Sequence, residues 1–433
     1  MKTSAYFLLL LLTSCSFGED GQPPRYTVIE NVHVIDVLRG QVLPDRTVVL
    51  EDSIIRYIGD QATSVPFAPA TVIDGTGQFL LPGLWDMHFH LCWESGNDSL
   101  LLLPLLAHGI TGVRDMGGDL AIQAQLKAIG KADPTQGPDI FGPGPILDGN
   151  PPVFYDFSMP LDARTPIPHL LDSLVANGAD FFKTYSLLRE PELVQIAQYG
   201  QAHQLAFAGH LSEYVAPERS LELGQKSVEH LNRLDEIWTN DPARIDWLAD
   251  LMVEKESWLC PTLVVYYLKA HLADSTISMP QYDALVHPIL RQEWETTRSK
   301  RLARPGQQDT AALQRVLNRQ LALVGHLHQR GVKILAGSDF AGMPFVYPGI
   351  GLYQELDLLH QAGLTNAEVL AAATIHPATY LAIQDHYGSV TVGKIADLIL
   401  LAKNPLEDIE NIRTLTTVFR KGKRVGIPQG YVP

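Results

Sequence analysis

The stretch Leu80-Leu81-Pro82-Gly83-Leu84-Trp85-Asp86-Met87-His88-Phe89-His90 decides how this chain reads. It is an apolar run that ends in two histidines separated by one residue. On an extended strand residues i and i+2 face the same side, so the two imidazoles can reach one ion. From here onward apolar strands alternate with helical stretches, a pattern that argues for parallel βα units. Strands are expected near 84–90, 112–115, 140–146, 180–185, 206–210, 227–230, 259–263 and 334–339. Eight such units predict an α/β chain built as a (β/α)8 TIM barrel, which carries its functional groups at the C-terminal ends of its strands.

The other expected strands end in the same manner. Lys183 closes 179–183, His210 closes 205–210, His230 closes 227–230 and Asp339 closes 334–339. With His88 and His90 this sets polar groups around one barrel mouth. Burying a lysine and an aspartate is costly unless charges are paired or bound to metal, and divalent cations supply that pairing. Zinc is the default ion for such a nitrogen and oxygen donor set, with manganese and cobalt as alternatives. Tyr185 lies two residues past Lys183 and so faces the same side, as a substrate-binding residue or as barrel packing. Arg114 and Asp115 end the second strand and are read as structural ion pairing. Tyr155, Tyr266 and Tyr267 are read as wall near the mouth, and Cys92 and Cys260 as buried thiols.

Outside the barrel, 26–37, 47–50 and 54–58 are short β-branched runs broken by turn residues, and the same texture returns only at 398–401 and 417–424. Neither half is large enough to bury a core alone, so the two chain ends are expected to pair into a small β-sandwich, 26–80 plus 388–426, around a barrel at 81–387. Residues 266–319 form a charged, helix-favouring insertion after the seventh strand, either a lid over the mouth or a surface helical pair. Thr365-Asn366-Ala367-Glu368 has capping-box spacing and marks the last barrel helix.

Composition narrows the partners. The 433 residues carry 33 Lys+Arg against 48 Asp+Glu, a net charge of −15, which disfavours nucleic acid because phosphate binding wants a basic face. At the start, Lys2 precedes the apolar run 6–12 and then Leu12-Thr13-Ser14-Cys15. The run is far shorter than the ~20 residues of a membrane helix, so 1–14 reads as an export signal and 15–25 as a tether. The ending resembles a bacterial lipobox, which implies a lipid anchor on Cys15 and a place in the cell envelope, at the outer membrane or the periplasmic face. The alternative is an ordinary signal peptide with an incidental cysteine.

Taken together, the ligand set, Leu81-Pro82-Gly83-Leu84-Trp85-Asp86, Gly109-Ile110-Thr111-Gly112-Val113-Arg114-Asp115 and Gly388-Ser389-Val390-Thr391-Val392-Gly393-Lys394-Ile395-Ala396-Asp397-Leu398 resemble the amidohydrolase superfamily, in particular its imidazolonepropionase-like and prolidase-like branch. The resemblance spans roughly 26–424. Thr374-Ile375-His376-Pro377 departs from it, since relatives often carry Asn before the proline. The resemblance implies that His88, His90 and Asp339 hold the more buried of two divalent metal ions, zinc by default for this donor set, and that His210 and His230 hold the more exposed one. It implies that Lys183, N6-carboxylated, bridges them. A bridging hydroxide attacks the scissile carbonyl, and Asp339 is the catalytic group that takes its proton. The expected activity is hydrolysis of C–N bonds in amide, cyclic amide or dipeptide-like small molecules. Lactone or ester hydrolysis on the same site and a non-catalytic ligand-binding lipoprotein are the alternatives.

Overall fold

The computed structural model of the protein describes residues 25–60, 70–93, 98–427 and 431. The expected export signal and Cys15 lie outside the described residues.

The two chain ends meet in one eight-stranded sheet. Its long central strand, Tyr26–Asp36, pairs antiparallel with Gln41–Glu51 and parallel with Ala70–Asp74 and Phe79–Pro82. Phe79–Pro82 then pairs antiparallel with Leu398–Leu401, which pairs with Leu415–Arg420. The β-branched and aliphatic residues that suit a pleated, half-buried surface supply its core: Ile29, Val32, Val34, Val48, Leu50, Leu80, Leu398, Leu400 and Phe419 pack together. The Ile55 N–H donates to Lys394 O and the Ala396 N–H to Ser53 O, so the far edge of this sheet curls back toward its C-terminal strands.

The middle of the chain is a set of parallel strands with helices between them. Leu84–Phe89 pairs with Ile110–Asp115, which pairs with Asp139–Phe141. The expected third strand, 140–146, is instead broken: Asp139–Phe141 stops, and Ile146–Gly149 resumes beside Ser158–Leu161. Pro143 and Pro145 in the intervening Gly-Pro-Gly-Pro lack the N–H that a ladder needs. Phe182–Thr184, Phe207–Gly209, Ser227–Glu229 and Trp258–Cys260 follow in parallel order. The Asp180 N–H donates to Gly142 O, Leu335 N–H to Leu259 O, and Met87 N–H to Ala336 O, so hydrogen bonds pass from one edge of this set round to the other. The arrangement is TIM-barrel-like and α/β. The expected strand 334–339 makes only a single bridge, Ile334 to Leu259, before the chain turns at Asp339.

Helices pack outside through apolar faces. Asp119 caps Leu120–Ala132 by accepting from the Ala121 and Ile122 N–H groups, and Thr365 with Glu368 forms the expected capping box. The insertion is helical: Pro288–Leu302 and Thr310–Gln329 dominate it. Trp294 lies 5.6 Å from the Phe345 ring and 5.1 Å from the Tyr347 ring, so the insertion rests on the loop that follows Asp339.

Candidate metal centre

The six sequence-predicted ligands come together at the C-terminal ends of the strands. The Asp339 carboxylate lies among imidazoles, with Oδ1 3.4 Å from His88 Nε2 and 3.3 Å from His90 Nε2, and Oδ2 3.9 Å from His230 Nδ1. Ring centroids are 4.6 Å apart for His88 and His230 and again for His210 and His230, so the imidazoles form a continuous group. Donor atoms of His88, His230 and Asp339 fall within 4.8 Å of one another. Lys183 is buried, and its charge presses on His88, His210 and His230 alike.

Three nitrogens in this group, His88 Nε2, Lys183 Nζ and His210 Nε2, are buried and make no hydrogen bond. Orphaned buried polar atoms are rare in folded proteins and call for a partner. Burial also favours the uncharged, ligating forms of these groups. It holds His88 and His210 well below the usual imidazole range, pushes His230 down to about 4 and pushes the Lys183 amine down to about 8, against the opposing pull of Glu229 and Asp339 on that lysine. A neutral amine is what carbamate formation requires. The donor set therefore fits divalent cations.

Hydrogen bonds to the second ring nitrogens orient the imidazoles. His88 Nδ1 is 2.7 Å from Glu229 Oε2, His210 Nδ1 2.9 Å from Ser186 Oγ, and His230 Nδ1 2.6 Å from Thr262 Oγ1. Glu229 is itself held by Arg114, whose Nη2 donates at 2.8 Å, while Arg114 Nη1 donates to Ser227 at 2.9 Å. Arg114 thus belongs to a buried ion pair, as expected, but its partner is Glu229. Asp115 instead accepts from Gln123 Nε2 at 2.9 Å. Asp86 Oδ1 accepts from the N–H groups of His88 and Ser338 and so ties the first strand to the segment leading to Asp339.

The backbone is strained where the ligands turn. His230, Thr262 and Asp339 have φ of 64°, 49° and 50°, left-handed values that cost roughly 1–2 kcal/mol for residues other than glycine. Such strain persists only where surrounding contacts over-determine it. Close approach sets a second requirement: a Cβ on Gly337 would lie 2.7 Å from His88 N and 2.7 Å from Cys260 Sγ. Gly337→Ala is expected to push these strands apart, costing about 1–3 kcal/mol of stability and lowering metal content, which thermal unfolding and elemental analysis would read.

Other expectations resolve simply. Tyr185 is half-buried with its ring 3.8 Å from that of His210, at the site. Tyr266 accepts from the Leu231 N–H at 2.8 Å and serves the wall, Tyr155 is exposed, and Cys92 and Cys260 are buried. A recess of about 50 Å³ beside His210 and His230 is lined by Ser186, Glu213, Asn232 and Arg233. Behind the site, Glu355 is fully buried, accepts from the Val264 N–H at 2.8 Å, and is pushed up to about 8 by burial. A folded-state value above the unfolded one makes its contribution to stability complete below about pH 4.5 and lost as pH rises toward 8. Glu355→Gln should therefore flatten the fall in Tm between pH 5 and 8; an unchanged slope in melting curves would refute this.

Comparison with known proteins gives a consistent result. The amidohydrolase family model matches residues 79–425. Imidazolonepropionase of Pseudomonas putida is 23% identical over 406 residues, covering 86% of this chain and 92% of that one. Ochratoxinase of Aspergillus niger is 22% identical over 459 residues, covering 89% of this chain and 83% of its own. Among solved structures, a prolidase complexed with N-methylphosphonate-L-proline superposes with a TM-score of 0.73 at 22% identity, covering 93% of this chain and 100% of that one.

Proposed function

The chain belongs to the amidohydrolase family, and from that premise we propose that it is a metal-dependent hydrolase of C–N bonds acting on dipeptide-like or cyclic amide substrates. The observation that carries this reading is the gathering of His88, His90 and His230 around the Asp339 carboxylate, in a cluster where His88 Nε2, Lys183 Nζ and His210 Nε2 are buried and make no hydrogen bond. In this reading His88, His90 and Asp339 would hold one divalent cation, His210 and His230 a second, and Lys183 as a carbamate would add an anionic ligand, with zinc the ion the donors favour. Bound cations would supply an acidified water and polarise the scissile carbonyl.

The chain's own groups do the rest. The Asp339 carboxylate accepts the proton of the attacking water and delivers it to the leaving nitrogen. Glu229 fixes the His88 ring so that Nε2 faces the site, and Arg114 pairs with Glu229 from the other side. The Tyr185 hydroxyl is the candidate donor to the substrate carbonyl. The catalytic unit is read as a (β/α)8 barrel over 81–387, beside a small sandwich of 26–80 and 388–426. Likeness to the imidazolonepropionase and the prolidase supports the bond type. The exported, Cys15-anchored form belongs to the same proposal; Cys15→Ala should release the protein from membranes and abolish labelling by a fatty acid.

The test joins metal content to activity. Purified protein should hold about two equivalents of divalent metal, lose more than 99% of its turnover of a dipeptide library on chelation and regain it with zinc. The library should include peptides ending in proline, arginine and lysine. Full activity in metal-free protein would refute the proposal.

A further inference from the structure

An unbroken series of aromatic rings runs along one side of the site. His90 stacks on Trp93 with centroids 3.8 Å apart and 25° between planes. Trp93 stacks on Phe157 at 4.8 Å and 9°, and meets Phe154 at 5.0 Å. Phe154 lies 5.8 Å from Tyr185, and Tyr185 lies 3.8 Å from His210. The arc therefore begins on an imidazole assigned to one cation and ends on an imidazole assigned to the other.

Three features separate this arc from ordinary core. Trp93, Phe154, Phe157 and Tyr185 are each only half-buried, so their faces are shared between one another and the mouth. The series is built of rings, with Lys183 Nζ 5.8 Å from the Tyr185 centroid, whereas the recess on the His210 and His230 side is lined in part by Glu213 and Arg233. Trp93 is also pinned, because its Nε1–H donates to Gly117 O at 2.8 Å, which fixes the ring plane. A pinned, partly open aromatic surface binds flat apolar groups by offset or edge-to-face stacking, and burying a carboxylate against it costs desolvation.

We infer that the site selects substrates bearing an aryl group within one residue of the scissile carbonyl, seated against Trp93, Phe154, Phe157 and Tyr185. This rests on the hydrolase reading above and adds the substrate class. Burying an aryl ring there favours it over a carboxylate-bearing side chain by about 10-fold or more in kcat/KM. Cyclohexylalanine, similar in size but without a π face, falls between the two.

The test uses the metal-loaded protein and dipeptides that differ only in one side chain, phenylalanine, cyclohexylalanine or glutamate, placed on either side of the bond. Phenylalanine should lead in that order, and Trp93→Leu and Phe157→Leu should shrink the phenylalanine-to-glutamate ratio to about three-fold or less. Metal content and thermal unfolding check that both variants are folded. Peptides cleaved with no preference, or a ratio unmoved in both variants, would overturn the inference. Should no peptide be cleaved, the dipeptide part of the hydrolase reading falls, and binding alone still decides: phenylacetohydroxamic acid should bind about 10-fold tighter than acetohydroxamic acid by calorimetry, and equal affinities would refute the arc.

Discussion

Asp339→Asn is expected to lower kcat by about 10²–10⁴ at nearly unchanged size. The amide retains an oxygen to place among His88, His90 and His230 but cannot accept a proton. The position is tightly determined, since the Asp339 N–H donates to His88 O at 2.7 Å and the backbone is held at a φ of 50°. The amide should therefore occupy the carboxylate's place. A substrate with a good leaving group, such as a p-nitroanilide, should suffer less than a plain amide, because less proton donation is needed. Steady-state kinetics on both substrates, with metal content measured alongside, checks this. A variant with full metal and near-normal kcat on the plain amide would remove Asp339 from its assigned role.

Arg114→Met should produce the largest loss of stability. It strands the Glu229 carboxylate, fully buried between His88 and Ser227, without its counter-charge. Breaking one side of a buried pair in this way costs about 3–5 kcal/mol. Removing both partners, Arg114→Met with Glu229→Met, should restore much of that stability, since neither charge is then buried alone. The double variant still lacks the carboxylate that orients His88, and its metal affinity should be about 10–100-fold weaker than that of the original protein. Denaturant unfolding and zinc titration separate these effects. A double variant as unstable as the single one would show that the pair acts through packing.

The placement of the six expected ligands was readable because His88 and His90 share the end of one expected strand and the other four each close an expected strand of their own, and a strand's period and terminus are local properties. His88 and His90 announce themselves by spacing, and His210 and Asp339 by the glycine-containing apolar runs that precede them. What could not be read is what depends on a distant segment. Glu229 orients His88 from 141 residues away, and Arg114 reaches Glu229 across 115. A weak signal did exist, since Ser227 and Glu229 share a side by the same i, i+2 rule that pairs His88 with His90. The broken third strand was foreshadowed by its two prolines. The pairing of both chain ends was expected from their shared β-branched texture, whereas the strand order and register that join them in one sheet depend on long-range pairing that no local pattern encodes. The aromatic arc has the same character, since Trp93 follows the first strand while Phe154 and Phe157 come from the loop after Ile146–Gly149.

The strand Phe79–Pro82 leads directly into the segment bearing His88 and His90, yet one of its two flanking partners is Leu398–Leu401. During synthesis the N-terminal strands, and the ligands just behind them, must wait with an unpaired edge until almost the whole polypeptide has left the ribosome. Such late closure lengthens the time in which a nascent chain can pair wrongly or aggregate. It also makes the last segment a checkpoint: a product cut short before residue 398 would lack the strand that secures the approach to His88 and His90, and it would remain a target for chaperones and proteases.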